Sequence, residues 1–116
     1  MSDLSQNLIR WVCSKLQINT PFVKSSSLNT SGSKCDLLVN ICQSQLSTSY
    51  ISPPGSKAYI EECNAFQDAG ISVSYFYYKH PVYKQIHGGF IPYMSVLDLL
   101  FNAGPKSVEI IRMGRE

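Results

Sequence analysis

TSYISPPGSKAYIEECNAFQDAGISVSYFYY, residues 48–78, decides the architecture. Thr48 to Ser52 is a short β-prone run, and Pro53-Pro54 ends it because proline offers no N–H to a sheet ladder. Gly55-Ser56 then opens a helix predicted over Lys57 to Asp68, with Gly70 as its C-cap. Ile71 to Tyr78 forms the next strand, with Ile71, Val73, Tyr75 and Tyr77 on one face and Ser72, Ser74, Phe76 and Tyr78 on the other. Two strands joined through a helix are expected to run parallel, by a right-handed crossover.

Outward from this unit, Leu4, Leu8, Trp11, Val12 and Leu16 fall at helical spacing and predict a first helix over Asp3 to Leu16, with Ser2 or Asp3 as N-cap. Pro21 to Lys24 is expected as a third strand, followed by a polar loop over Ser25 to Ser33. A second helix is predicted over Ser33 to Leu46, burying Leu37, Leu38, Ile41, Cys42 and Gln45. Ser95-Val96-Leu97-Asp98 has the spacing of a capping box and starts a helix that stops at Asn102-Ala103-Gly104. Pro105 begins a last helix to Met113. The alternating order predicts an α/β fold: a small, mainly parallel three-stranded sheet flanked by helices, part of a larger Rossmann-like α/β arrangement. So thin a sheet calls for further strands or a partner, and self-association is expected.

The chain has 116 residues, 44% of them hydrophobic, and a formal net charge of +2, which suits one globular domain over residues 1–116. Its Lys and Arg are scattered, which argues against nucleic acid as a partner. Met1 to Arg10 lacks the apolar core of a signal peptide and Leu99 to Phe101 is far too short to span a bilayer, so a cytoplasmic protein without a membrane partner is expected. Cys13, Cys35, Cys42 and Cys63 have no C-x-x-C pair or zinc spacing. They read as small buried hydrophobes in a reducing compartment, and no metal or other cofactor is indicated.

Two stretches carry candidate chemistry. Gly-Ser-Lys occurs twice, at Gly32-Ser33-Lys34 and at Gly55-Ser56-Lys57, each before a predicted helix. Helix-start N–H groups and a lysine would suit an anion such as the phosphate of an activated sugar, Ser52 lying at the same strand end. Capped helix starts with an exposed lysine are the competing reading. The second stretch is the long loop from Lys79 to Tyr93, where His80 is an acid/base or phosphate-binding candidate with Tyr83 as an orienting donor. His80 is expected near Ser52 to Lys57, at the rim where both strands end. Asp98 is a further catalytic candidate, its alternative role being to complete the capping box of Ser95.

Taken together, Tyr50-Ile51-Ser52-Pro53-Pro54-Gly55-Ser56-Lys57-Ala58-Tyr59, His80-Pro81-Val82-Tyr83 and Phe90 to Asn102 resemble the WbqC-like protein family. The resemblance reaches back through Asn7 to Leu16 and Ser31 to Cys42, and it corresponds to the family's carboxyl half. It implies a transferase part in bacterial surface-polysaccharide (O-antigen) biosynthesis, acting on an activated sugar or amino sugar. The alternative is a non-catalytic subunit or remnant that binds a ligand or partner, such as a separate amino half. Two positions depart from the family's habit. Gly89 stands where an acid commonly precedes the Phe-x-Pro segment, and Gln45-Leu46-Ser47 stands where a glycine usually follows the second helix.

Overall fold

The computed structural model describes residues 2–115. It divides into two compact units, residues 22–77 and residues 1–21 with 78–116.

The 22–77 unit holds the sheet. Strand β1 (Ser49–Ser52) pairs in parallel with β2 (Ser72–Tyr75), Ser49 opposite Ser72 and Ser52 opposite Tyr75. The expected third strand does not form. Residues 21–24 are irregular, with Phe22 and Val23 about half exposed, and a 3₁₀ turn follows at Ser25–Ser27. Pro21 brings no donor, and a run this short gains too little from one ladder to offset the entropy of ordering it. The sheet among the described residues is therefore two-stranded.

Helices flank it. The second helix of the chain is α2 (Lys34–Ser44), and its buried stripe is Cys35, Val39 and Cys42, with Leu38 at the margin. Of the predicted face, Cys42 is buried and Leu37, Leu38 and Ile41 are half-buried, while Gln45 is exposed and Cys35 and Val39, not expected there, complete the buried stripe. The single crossover helix expected over Lys57 to Asp68 is broken into α3 (Lys57–Glu61) and α4 (Ala65–Asp68), after a 3₁₀ turn at Pro54–Ser56. The break lets Ile60 and Phe66 enter one core with Cys35, Val39, Cys42 and Ile71. Tyr50 stacks on Phe66 with ring centroids 5.1 Å apart. Along β2 the alternation holds: Ile71 is buried and Val73 and Tyr75 half-buried, while Ser72 and Ser74 face out.

One reading of the cysteines is overturned. Cys35 and Cys63 form a disulfide, whereas Cys13 and Cys42 are free thiols. The turn between α3 and α4 carries Cys63 back to the start of α2, a long-range approach that the spacing of the cysteines does not reveal.

The end of α2 shows what the missing glycine does. Ser47 N–H bonds Cys42 C=O at 2.9 Å and Leu46 N–H bonds Gln43 C=O at 3.0 Å, the paired bonds of a Schellman cap. That cap puts Leu46 at φ +53°, a conformation that suits glycine, with its side chain 91% exposed. Leu46→Gly should therefore stabilise the chain by about 1 kcal/mol in urea melts, since it relieves left-handed strain and surrenders no buried surface.

The other unit holds α1 (Ser2–Lys15), α5 (Val96–Ala103), α6 (Ser107–Met113) and the long loop, which is tied to α5 and to the end of α6. Because α1 already includes Ser2 and Asp3, neither is its cap, and the preceding Met1 lies outside the described residues. Only the end of its stripe is buried, at Leu16, while Leu4, Leu8 and Trp11 remain exposed. α5 begins at the expected Ser95 cap, whose Oγ accepts from Leu97 N–H, and ends at Gly104 with φ +53°. Pro105 lies in a 3₁₀ turn leading into α6, where Ser107 is fully buried and its hydroxyl donates to Leu99 C=O at 3.3 Å. Among the described residues no helix is long and apolar enough to cross a membrane.

Candidate functional site

The loop over residues 79–95 is held by side chains rather than by a ladder. Gln85 clasps it: its Nε2 donates to Ile91 C=O at 2.9 Å, and its Oε1 accepts from Ile91 N–H at 2.8 Å. Between these points Gly88, at φ +63°, lets the chain turn back. Asn102 on α5 anchors the near side, its Oδ1 accepting from Ile86 N–H at 2.8 Å.

Both amides meet Asp98. One carboxylate oxygen, Oδ2, accepts from Tyr83 O–H at 2.6 Å and from Gln85 Nε2 at 3.0 Å; the other, Oδ1, accepts from Asn102 Nδ2 at 3.1 Å. The capping-box role expected for Asp98 is thus replaced. Ser95 caps α5 through Leu97, and the Asp98 carboxylate organises the loop. Tyr83 is buried, and that burial, then its bond to Asp98, holds its phenol above the ordinary value of 10.0. It is consequently a hydroxyl donor throughout the neutral range. The carboxylate also lines an open hollow of about 320 Å³ bounded by Gln85, His87, Met94, Phe101 and Asn102.

His80 sits on the other side of Tyr83. Its ring lies 6.4 Å from that of Tyr83, 5.8 Å from Phe90, 5.2 Å from Tyr93 and 6.5 Å from Tyr78, centroid to centroid. Nδ1 is 2.9 Å from Pro81 C=O. A carbonyl only accepts, so this bond assigns the proton to Nδ1 and leaves Nε2 of the neutral ring with its lone pair. The loop thereby presents an oriented imidazole held by aromatic packing, and, through Tyr83, a carboxylate with three donors.

The other candidates lie in the 22–77 unit. Ser52 is buried at 1% exposure, its hydroxyl pointing to Pro53 C=O at 3.4 Å. Gly55 and Ser56 lie in the 3₁₀ turn, and Ser56 makes no side-chain cap bond. The Lys57 ammonium is already engaged, 3.7 Å from Glu61 and 5.7 Å from the centre of the Tyr75 ring. In the other copy Ser33 likewise caps nothing, while Gly32 has φ +110° and Lys34 φ +52°. Lys34 shares its surface hollow with Asp36 and Glu62. Among the described residues no cluster of three or more His, Cys, Asp or Glu could hold a metal ion.

The family profile described as "WbqC-like protein family" matches residues 1–110. The chain belongs to the WbqC-like protein family. It is 36% identical over 117 residues to the protein Rv1507c of Mycobacterium tuberculosis (strain ATCC 25618 / H37Rv), which is described as uncharacterized. That alignment covers 100% of this chain and 50% of the relative, so this WbqC-like chain spans about half the length of the curated relative it matches. No solved structure matches it.

Sequence reasoning missed Gln85 and Asn102, the two amides that complete the Asp98 cluster. Asn102 carries a signal, because Asp98 and Asn102 are i and i+4 on one helix face. Gln85 carries none at the level of sequence; only the path of the loop brings it to Asp98.

Proposed function

We propose that this chain is part of a WbqC-like transferase of bacterial surface-polysaccharide (O-antigen) biosynthesis, acting on an activated sugar or amino sugar, with His80 as its general acid/base. The observation that carries the reading is the Nδ1 bond to Pro81 C=O, which leaves Nε2 available to take a proton. An amine or hydroxyl acceptor must lose a proton as it attacks an activated group, and an imidazole nitrogen with a free lone pair can take it. Tyr83 and Asp98 position the loop: the carboxylate fixes the phenol, and the phenol ring packs against the imidazole. Within the 22–77 unit, Gly55-Ser56-Lys57 would hold an anionic group, Lys57 exchanging Glu61 for phosphate.

A second reading, a non-catalytic ligand- or partner-binding subunit, is favoured by one specific observation: the Lys57 ammonium is already paired.

Thermal melts with nucleotide-sugars, amino-sugar derivatives among them, separate the two readings. A ligand that raises the wild-type Tm and loses that effect with His80→Asn, whose amide can still donate to Pro81 C=O, supports the acid/base site. Equal shifts in wild type, His80→Asn and Lys57→Ala favour the binding reading. No shift with any sugar nucleotide overturns the sugar-ligand assignment.

A further inference from the structure

We infer that the Cys35–Cys63 disulfide is a site of thiol–disulfide exchange, addressed by small thiols through the hollow at Cys63, and that opening it releases the first turn of α2. The bond joins two elements far apart in the chain, with a sequence separation of 28 and Cα atoms 6.7 Å apart. The two cysteine residues differ in burial. Cys35 belongs to the core at 4% exposure, whereas Cys63 is half-buried in the turn between α3 and α4. Both line an open hollow of about 300 Å³ whose charged members are Lys34, Asp36 and Glu62, with Tyr59 as its aromatic wall.

Exchange requires a thiolate to attack one sulfur and expel the other, and the better leaving thiolate is the better stabilised one. Attack at the less buried Cys63 expels Cys35. Cys35 is the second residue of the 11-residue helix α2, where unbonded N–H groups and the positive end of the helix dipole favour a thiolate. The Ser33 side chain does not occupy those N–H groups. A second small thiol then attacks the mixed disulfide on Cys63. The net reaction converts one protein disulfide and two small thiols into two protein thiols and one small disulfide, the small thiol being oxidised. The hollow carries one positive and two negative side chains, so cationic or neutral thiols enter more readily than anionic ones.

The bond constrains what surrounds it. Lys34, next to Cys35, is a lysine in the left-handed region at φ +52°, a conformation that persists only where neighbours enforce it. When the sulfurs part, Lys34 can relax and the start of α2 can fray, and α3 loses the tether just beyond its last turn. This inference does not depend on the transferase reading.

Cys42 supplies an internal control. It is a free thiol in the same core, 7% exposed, its titration pushed up by burial, so it reacts with an alkylating reagent only when the core opens. The whole chain is incubated with cysteamine or with 2-mercaptoethanesulfonate at low ionic strength, then pulsed with iodoacetamide and mapped by mass. Without reductant Cys35 and Cys63 stay unlabelled. With cysteamine Cys63 is labelled while Cys42 remains protected, and the anionic thiol reacts several-fold more slowly, a difference that 0.5 M salt removes. Labelling of Cys63 before any reductant would overturn the bond itself. Simultaneous labelling of Cys63 and Cys42 would show that exchange waits on global unfolding, and equal rates for the two thiols would remove the charged hollow as the route; either overturns the inference.

Discussion

Asp98→Ala is expected to lower stability by about 3 kcal/mol in equilibrium urea unfolding, a large effect for one substitution outside the hydrophobic core. The carboxylate accepts from three side-chain donors, and the substitution leaves all three without it. Gln85 keeps its clasp on Ile91 and Asn102 its bonds to Ile86 and to the Asp98 main chain, so their losses are partial. Tyr83 is different, for among the described residues its buried hydroxyl donates to Asp98 alone, and a buried orphan donor costs about 1–3 kcal/mol. Asp98→Asn should cost about half as much, since an amide oxygen still accepts but carries no charge. If the Tyr83 bond dominates, Tyr83→Phe and Asp98→Ala will be strongly non-additive in a double-mutant cycle. Additive losses would sink the account of Asp98 as the organiser of the loop.

The same bond sets a pH dependence whose sign is fixed. The Tyr83 phenol titrates higher in the folded chain than its ordinary 10.0, through burial first and Asp98 second. The folded state therefore binds this proton more tightly than the unfolded state does. Its contribution is fully present below about pH 10 and is lost as pH rises through the folded value. Tyr83→Phe should flatten that part of the alkaline decline.

The parts of the fold legible from sequence were those governed by local chemistry. Pro53-Pro54, Gly70, Ser95 and Gly104 mark boundaries because their backbone restrictions or capping atoms act within a few residues, and the structure ends or starts elements there. The alternation of Ile71, Val73 and Tyr75 was readable for the same reason. What escaped depends on packing between distant segments. The break at residues 62–64 exists so that Ile60 and Phe66 reach one core, and nothing local in Glu61-Glu62-Cys63-Asn64 requires it. Cys35 reads from sequence as a small buried hydrophobe and is buried, but its bond to Cys63 was not visible because that partner lies 28 positions on. In the loop, Tyr83 and Asp98 were visible as residue types. Their bond was not, since a capping box predicts a local role for Asp98 and the actual partners come from 13 and 15 positions upstream.

The base of the loop rests on a close approach that one methyl group should disrupt. Gly114, at the end of α6, is buried; a Cβ there would lie 2.5 Å from Lys79 C=O and 2.5 Å from the Tyr78 ring. The strands of chain are locked together at that point, because Lys79 N–H donates to Gly114 C=O at 2.9 Å and Tyr78 forms an antiparallel bridge with Arg115. Two effects of Gly114→Ala oppose each other. Gly114 has φ −84° and ψ 5°, which alanine adopts freely, so the reduced entropy of the unfolded chain favours the variant by about 0.5–1 kcal/mol. Against this, one of the obstructing atoms is a main-chain oxygen that cannot move without breaking its own surroundings, and overpacking of this kind costs about 1–3 kcal/mol. The steric term should win, with a net loss of about 1 kcal/mol and with faster hydrogen exchange at Lys79 N–H than at the α5 amides. The consequence extends to chemistry, because His80 follows Lys79 directly and its ring packs on Tyr78. A Gly114→Ala variant as stable as wild type, with Lys79 N–H still protected, would mean that the loop base is not clasped by α6 and that His80 takes its orientation from the Tyr83, Phe90 and Tyr93 rings alone.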